Sequence, residues 1–158
     1  MANPALETVL YPMTAFNFSI EISKEGDANR LCNAAFAECD GLEMTMEVKT
    51  IREGGANGRV VRLTGMLNYG QLTLKRGMTS SSDLWEWFSA VMIDPSIRAS
   101  AEVVMLAPNG AELARFVLGR CLPVKLKAPT LNAKDGTIAI EELQIAYETL
   151  TRKAASNA

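Results

Sequence analysis

Apolar and polar residues alternate along most of this chain, and the period lengthens in only one stretch. Phe16, Phe18, Ile20 and Ile22 are separated by Asn17, Ser19 and Glu21, the period of two that sets one face of a strand on a core and the other in water. Met44, Met46 and Val48 repeat the pattern against Glu43, Thr45, Glu47 and Lys49, and Val60 to Leu63 supplies a return strand. Together they predict a long hairpin over about 43–63. Leu72 and Leu74 alternate with Gln71, Thr73 and Lys75 until Gly77 breaks the run. Glu102 to Leu106 and Glu112 to Leu118 flank Pro108-Asn109-Gly110, a tight-turn signal that predicts a second hairpin. Leu122, Val124 and Leu126 alternate with Pro123, Lys125 and Lys127; this strand is expected near a sheet edge, because proline donates nothing to a ladder. In the last run Ile138 and Ile140 share one parity while Leu143, Ile145 and Tyr147 share the other. A bulge between Glu141 and Glu142 would restore a common buried side.

Helical period appears from about Ser82 to Ile93. Leu84, Trp85, Trp87, Phe88, Val91 and Met92 fall within one arc, opposite Glu86, Ser89 and Ala90. Ser81, Ser82 or Asp83 can cap the first turn, and Asp83 and Glu86 suit the positive end of the helix dipole. Asp94-Pro95 ends it, since proline disfavours helical geometry in the preceding residue. About seven or eight strands and one helix predict a mainly β chain: an antiparallel β-sandwich or barrel with a flanking α-helix (about 82–93) and a long hairpin arm (about 43–63). One domain is expected over 11–152, with tails at 1–10 and 153–158. Such a fold has strand edges, which a free monomer must protect and an assembling protein can use for docking.

The connection Ile51-Arg52-Glu53-Gly54-Gly55-Ala56-Asn57-Gly58-Arg59 changes this picture. Asn57-Gly58 alone could close a hairpin, whose loops usually take two to five residues. This one is longer, has three glycines in five positions and offers no apolar anchor. It reads either as an ordinary surface loop or as an arm held by something outside the monomer.

Composition narrows the chemistry. The 158 residues carry a net charge of −2 and 22% charged side chains, which marks neither disorder nor a general nucleic-acid binder. Histidine is absent from the sequence, so a Ser-His-Asp triad, a Cys-His pair and imidazole metal ligation are excluded. Cys32, Cys39 and Cys121 match no zinc or redox spacing and are expected as reduced thiols filling the core. The N-terminal residues lack the basic start and apolar run of a signal peptide, and no 18-residue apolar stretch occurs, so cytoplasmic synthesis and folding without membrane insertion are expected. Between Lys49 and Arg76 stand six basic residues and one acid, a local sum of +5; between Asp135 and Glu148 stand four acids and no base, a sum of −4. These blocks are either solvated faces or complementary patches that meet across subunits of a head-to-tail ring.

Six segments, in order, resemble a known family. They are Thr50-Ile51-Arg52-Glu53-Gly54-Gly55, Asn68-Tyr69-Gly70-Gln71-Leu72-Thr73-Leu74-Lys75-Arg76-Gly77, Asp83-Leu84-Trp85-Glu86-Trp87-Phe88, Cys121-Leu122-Pro123-Val124-Lys125, Leu131-Asn132-Ala133-Lys134 and Ile138-Ala139-Ile140-Glu141-Glu142-Leu143. Their order and spacing are similar to the tail-tube proteins of contractile bacteriophages and phage-tail-like injection particles, across about Tyr11 to Arg152. The resemblance implies no enzyme and no cofactor or metal. It implies a structural protomer of hexameric rings, which stack into a hollow inner tube within a contractile sheath. Neighbouring strands would join into a barrel around a channel for DNA or protein cargo, without sequence-specific binding. Implied partners are further copies of the chain and the sheath, baseplate or spike and tape-measure proteins. Assembly would take place in the bacterial cytoplasm, and the product would be a phage tail or injection particle.

On this reading Arg52, Glu53, Gly54, Gly55, Asn57, Gly58, Arg59 and Arg62 form an inter-subunit arm, and Glu141, Glu142 and Glu148 an acidic strand complementary to it. Thr45, Glu47 and Lys49 are expected to face the channel, because a water-filled lumen needs a polar lining while Met44, Met46 and Val48 must face protein. Other readings of the motifs are weaker. Trp85 and Trp87 lie in the helix's apolar arc and are expected in the core, not on a base- or sugar-stacking platform. Met44 and Met46 are expected to fill core. Lys75-Arg76 lacks a phosphate cradle, and Glu141-Glu142 lack a nucleophile or metal motif. Two alternatives remain at this stage: a ring-forming secreted effector or adaptor, and a small-molecule carrier with a ligand inside a closed barrel.

Overall fold

A computed structural model describes residues 12–27, 29–55 and 58–155, apart from the side chains of residues 33 and 34. In chain order the elements are β1 (Phe18–Lys24), β2 (Arg30–Ala34), β3 (Glu38–Asp40), β4 (Met44–Arg52), β5 (Val60–Tyr69), β6 (Gln71–Gly77), α1 (Asp83–Ile93), β7 (Ala99–Leu106), β8 (Glu112–Lys127), β9 (Ile140–Ala146) and β10 (Thr149–Ala154). The mainly β, antiparallel architecture with one helix is as expected. The tail predicted at 1–10 lies outside the described residues, and the one predicted after 152 overlaps the end of β10.

Two sheets pack face to face. One has the order β2-β1-β7-β8-β10 and the other β8-β9-β6-β3, so β8 belongs to both. Its 16 residues pair with β7 and β10 along the first part and with β9 from Leu122 to Lys127. The change of partner occurs at Arg120, whose φ of 52° turns the strand, the kind of local bend by which a strand passes from one sheet to another. Pro123 sits in the half of β8 that has β9 as its single partner, where a missing N–H is tolerated.

The core lies between the sheets. Ile20 and Ile22 of β1, Ala101 and Val103 of β7 and Leu118 of β8 face Leu72 and Leu74 of β6 and Leu143 and Ile145 of β9. Each fully buried aliphatic side chain contributes about 1.5–3 kcal/mol relative to exposure. These side chains pack against one another in the inter-sheet space, as in a sandwich. Cys32 and Cys121 are buried and Cys39 half-buried; burial pushes the Cys39 thiol up to about 11, with help from Asp40, and the Cys121 thiol up to about 12.

Helix α1 rests against β8 and β2. Leu84 and Trp87 point inward, Trp87 being 3% exposed, whereas Trp85 is 40% exposed. The expectation that both indoles lie in the core therefore holds for Trp87 alone: the apolar arc is wider than the stripe that the sheet covers. Ser82 is the N-cap residue, yet its hydroxyl donates to Glu86 Oε1 at 2.8 Å and accepts from no helix amide.

The expected bulge in the last strand does not form. Pairing of β6 with β9 runs without a shift from Gly77↔Ile140 to Gln71↔Ala146, with Glu141, Leu143, Ile145 and Tyr147 buried in sequence and Ile138 82% exposed. A carboxylate, Glu141, occupies the inward position that apolar parity assigned elsewhere. A buried arginine neutralises it.

Candidate assembly surface

Among the described residues β4 and β5 pair only with each other, forming a separate two-stranded sheet. All nine residues of β4 are exposed. Met44 is 58% exposed, Met46 49%, Val48 60% and Met66 66%, which overturns the expectation that Met44 and Met46 fill the core of the protomer. Alternation predicted the strand correctly. It could not show that neither face has cover within one chain. An isolated hairpin is at best marginally stable in water, and this one carries its apolar side chains in the open.

The arm differs from the expected 43–63 in the length of its return strand, which continues to Tyr69. Thr45 pairs with Asn68 and Met46 with Leu67, after which a register shift precedes Val48↔Thr64. Gly65 stands at the shift, where a Cβ would lie 2.9 Å from the Glu47 carbonyl oxygen, so β5 passes β4 more closely there than a side chain permits. Thr45, Glu47 and Lys49 all lie in the open, and Asn68 Nδ2 donates to Glu47 Oε1 at 3.3 Å. At the tip Arg52, Glu53, Gly54, Gly55, Gly58 and Arg59 are exposed around a shallow depression; Asn57 lies outside the described residues. Among the described residues no carboxylate pairs with Arg52, Arg59 or Arg62.

The root of the arm is tightly held, by a residue that sequence reasoning passed over. Tyr147 OH donates to the Gly41 carbonyl at 2.7 Å and accepts from the Glu43 amide at 3.1 Å. Its ring lies 5.6 Å from that of Tyr69. Burial raises the phenol's pKa. Gly41, at φ +100°, would place a Cβ 1.9 Å from the Gln71 carbonyl oxygen, so only glycine fits where the chain leaves β3 for the arm. The one cue in the sequence was an aromatic at the end of an apolar run, which reads equally well as core.

The acidic strand is placed differently from expectation. Arg76, 2% exposed, is bound by Glu141, 1% exposed, through its Nε and by Asp83 through Nη2 at 2.6 Å. It also lies 5.8 Å from the Phe36 ring and 3.5 Å from Cys32 Sγ. Partial burial opposes ionisation of Asp83, but hydrogen bonding and charge from Arg76 prevail and hold its carboxyl down at about 2. Glu142 is half-buried beside Lys75, its register partner. Glu148 pairs with Arg120 at 2.8 Å. Only parts of the two blocks therefore meet within one protomer, Lys75 and Arg76 beside Glu142 and Glu141 through β6–β9 pairing. Glu141 is removed from any outer surface because an inward-facing carboxylate is tolerated only when paired.

Four strand edges besides those of the arm are open among the described residues: β2 and β10 flank the first sheet, and β3 flanks the second. The fourth is the half of β8 from Leu122 to Lys127, which has β9 on one side only.

Residues 14–151 match the family described as T4-like virus tail tube protein gp19. Among solved structures, a chain of the anti-feeding prophage (AFP) baseplate, 6-fold symmetrised, is 26% identical with a TM-score of 0.82, over 94% of this chain and 99% of that one. A chain of the sheath–tube complex of an extracellular contractile injection system, PVC, in its extended state has the same fold, with a TM-score of 0.79 and 17% identity over 98% of this chain and 100% of that one. A chain of the AFP tube terminating cap, 19% identical, has a TM-score of 0.80 over 98% and 100%. No curated protein matches the chain.

Proposed function

Because this chain belongs to the family of the T4-like virus tail tube protein gp19, and so is a structural tube component of contractile tails and injection particles, we propose that it forms hexameric rings that stack into the hollow inner tube. The observation that carries this is the arm: a nine-residue strand exposed on both faces, with Met44, Met46 and Val48 in the open. A monomer has no use for it. In a stack, each arm lies across neighbouring copies and covers its apolar side chains there, which offsets the cost of ordering its glycine-rich tip. The sixfold symmetry of the AFP baseplate structure supports six copies per ring.

The channel carries DNA or protein without sequence-specific contacts. Its polar lining includes Thr45, Glu47 and Lys49. The sheath encloses the tube, a baseplate or spike starts it, and a tape-measure protein sets its length. Rings assemble in the bacterial cytoplasm before the particle acts elsewhere, and the protomer catalyses nothing. Arg52, Arg59 and Arg62 bind acceptor groups on adjacent copies.

Electron microscopy of the purified chain, with and without its co-expressed sheath protein, tests this reading. Long hollow filaments with sixfold end views are expected. A protein that stays monomeric at every concentration, with the sheath protein present, refutes it.

A further inference from the structure

Resting on the ring reading above, we propose that the ring is keyed electrostatically at its seam: Glu38 and Asp40 on the β3 edge of one copy face Lys125 and Lys127 on the β8 edge of the next. Among the described residues the sheet β8-β9-β6-β3 has an open edge on each side, and its neighbouring strands are all antiparallel. With four strands, the two outer ones run in opposite directions. Rotation about a tube axis preserves strand direction, so the β8 half of the next copy arrives antiparallel to β3. Both edges can then complete their ladders.

Charge on the outward face of this sheet is ordered. Inward positions are Leu72, Leu74 and Arg76 on β6 and Glu141, Leu143 and Ile145 on β9. The register places Glu38 beside Lys75, Lys75 beside Glu142 and Glu142 beside Lys127, a row alternating in sign across all four strands. Glu38 and Lys75 form an ion pair at 3.2 Å. The next row runs Asp40, Thr73, Gln144, Lys125. Acids occur on the β3 edge and lysines on the β8 edge, all four exposed. Edge charges that only prevented aggregation would need no such separation of signs. Like edges repel and unlike edges attract, which selects head-to-tail closure and rejects back-to-back pairing. Within the closed ring the row continues from Lys127 into the next copy's acidic edge. The face then carries three carboxylates (Glu38, Asp40, Glu142) and three ammoniums (Lys75, Lys125, Lys127) per copy, a wall without net charge.

The test compares assembly of the wild type, K125E/K127E, E38K/D40K and the variant with all four changes, by analytical ultracentrifugation and electron microscopy. Melting of each protomer is measured alongside. Each single-edge reversal is expected to raise the concentration for half-assembly at least about tenfold with the protomer still folded, and the four-residue swap to restore it to within a few-fold. For any variant that misfolds, K125Q/K127Q serves instead: added salt should weaken wild-type rings and leave that variant's assembly nearly unchanged. K125E/K127E rings that form like the wild type, or a four-residue swap no better than one edge alone, overturn the seam while leaving the ring reading intact. Wild-type chain that never forms rings overturns both.

Discussion

β9 and β4 are similar strands with opposite fates. Both alternate apolar and polar residues, yet in β9 one parity is sealed by the opposite sheet, while β4 is exposed along its whole length. Period two reports which residues share a face. It does not report which molecule covers that face. Covered by its own chain, the pattern produces folding stability; left open, it is free for association, as proposed above. Changes in the body should therefore move the melting of the protomer, and changes in the arm should move assembly alone.

The strongest effect on folding is expected from Arg76→Ala, which leaves Glu141 buried without its counter-charge. Such truncations cost about 3–5 kcal/mol, and chemical denaturation should show a loss of that order. Arg59→Glu with Arg62→Glu, in the exposed arm, is the matched control: the protomer should melt as before while tubes fail to form. Next comes acid. Asp83 is held at about 2 in the folded protein, against an ordinary value of 3.8. Its stabilisation is therefore present above about pH 4 and disappears as pH falls through about 2, a loss that solvent screening of this partly open pair holds to about 1–2 kcal/mol. Unfolding followed from pH 5 to pH 2 should show this slope, and Asp83→Asn should flatten it.

Much of the body was legible in the sequence for the same reason that it is stable. Phe18 to Ile22, Gln71 to Lys75 and the Pro108-Asn109-Gly110 hairpin carry local signals that tertiary packing reinforces. The misreadings have a common origin. Glu141 looked solvent-facing because its partner Arg76 is 65 residues away in the chain, and no local pattern encodes that pairing. Met44 and Met46 looked like core because apolarity says only that cover is needed. Trp85 was misplaced for that reason too. β3, three residues long, is too short to give a period at all, although it supplies one edge of the second sheet.

A smaller effect should come from the junction of the two regions. Tyr147→Phe removes the hydroxyl that binds Gly41 and Glu43, worth about 1 kcal/mol. The ring still packs, so the body should keep its core. Hydrogen exchange should quicken in β4 and β5 first, with β9 nearly unchanged; equal acceleration in both would mean that the clamp belongs to the body and not to the arm.

The smallest effect on folding and the largest contrast belong to Met46→Ser with Val48→Ser. Both side chains are about half exposed or more in the protomer, so the change should fall within about 0.5 kcal/mol of wild type, as surface substitutions usually do. In a stack each side chain would gain cover on one side, and the loss is multiplied by the number of arms that every ring engages at once. Protomer melting and tube yield, measured on one preparation, separate these terms. Unchanged melting with absent tubes is the expected result. Normal tubes would mean that the apolar face of β4 stays wet even when assembled, and the difference between the two strands would then have no functional content.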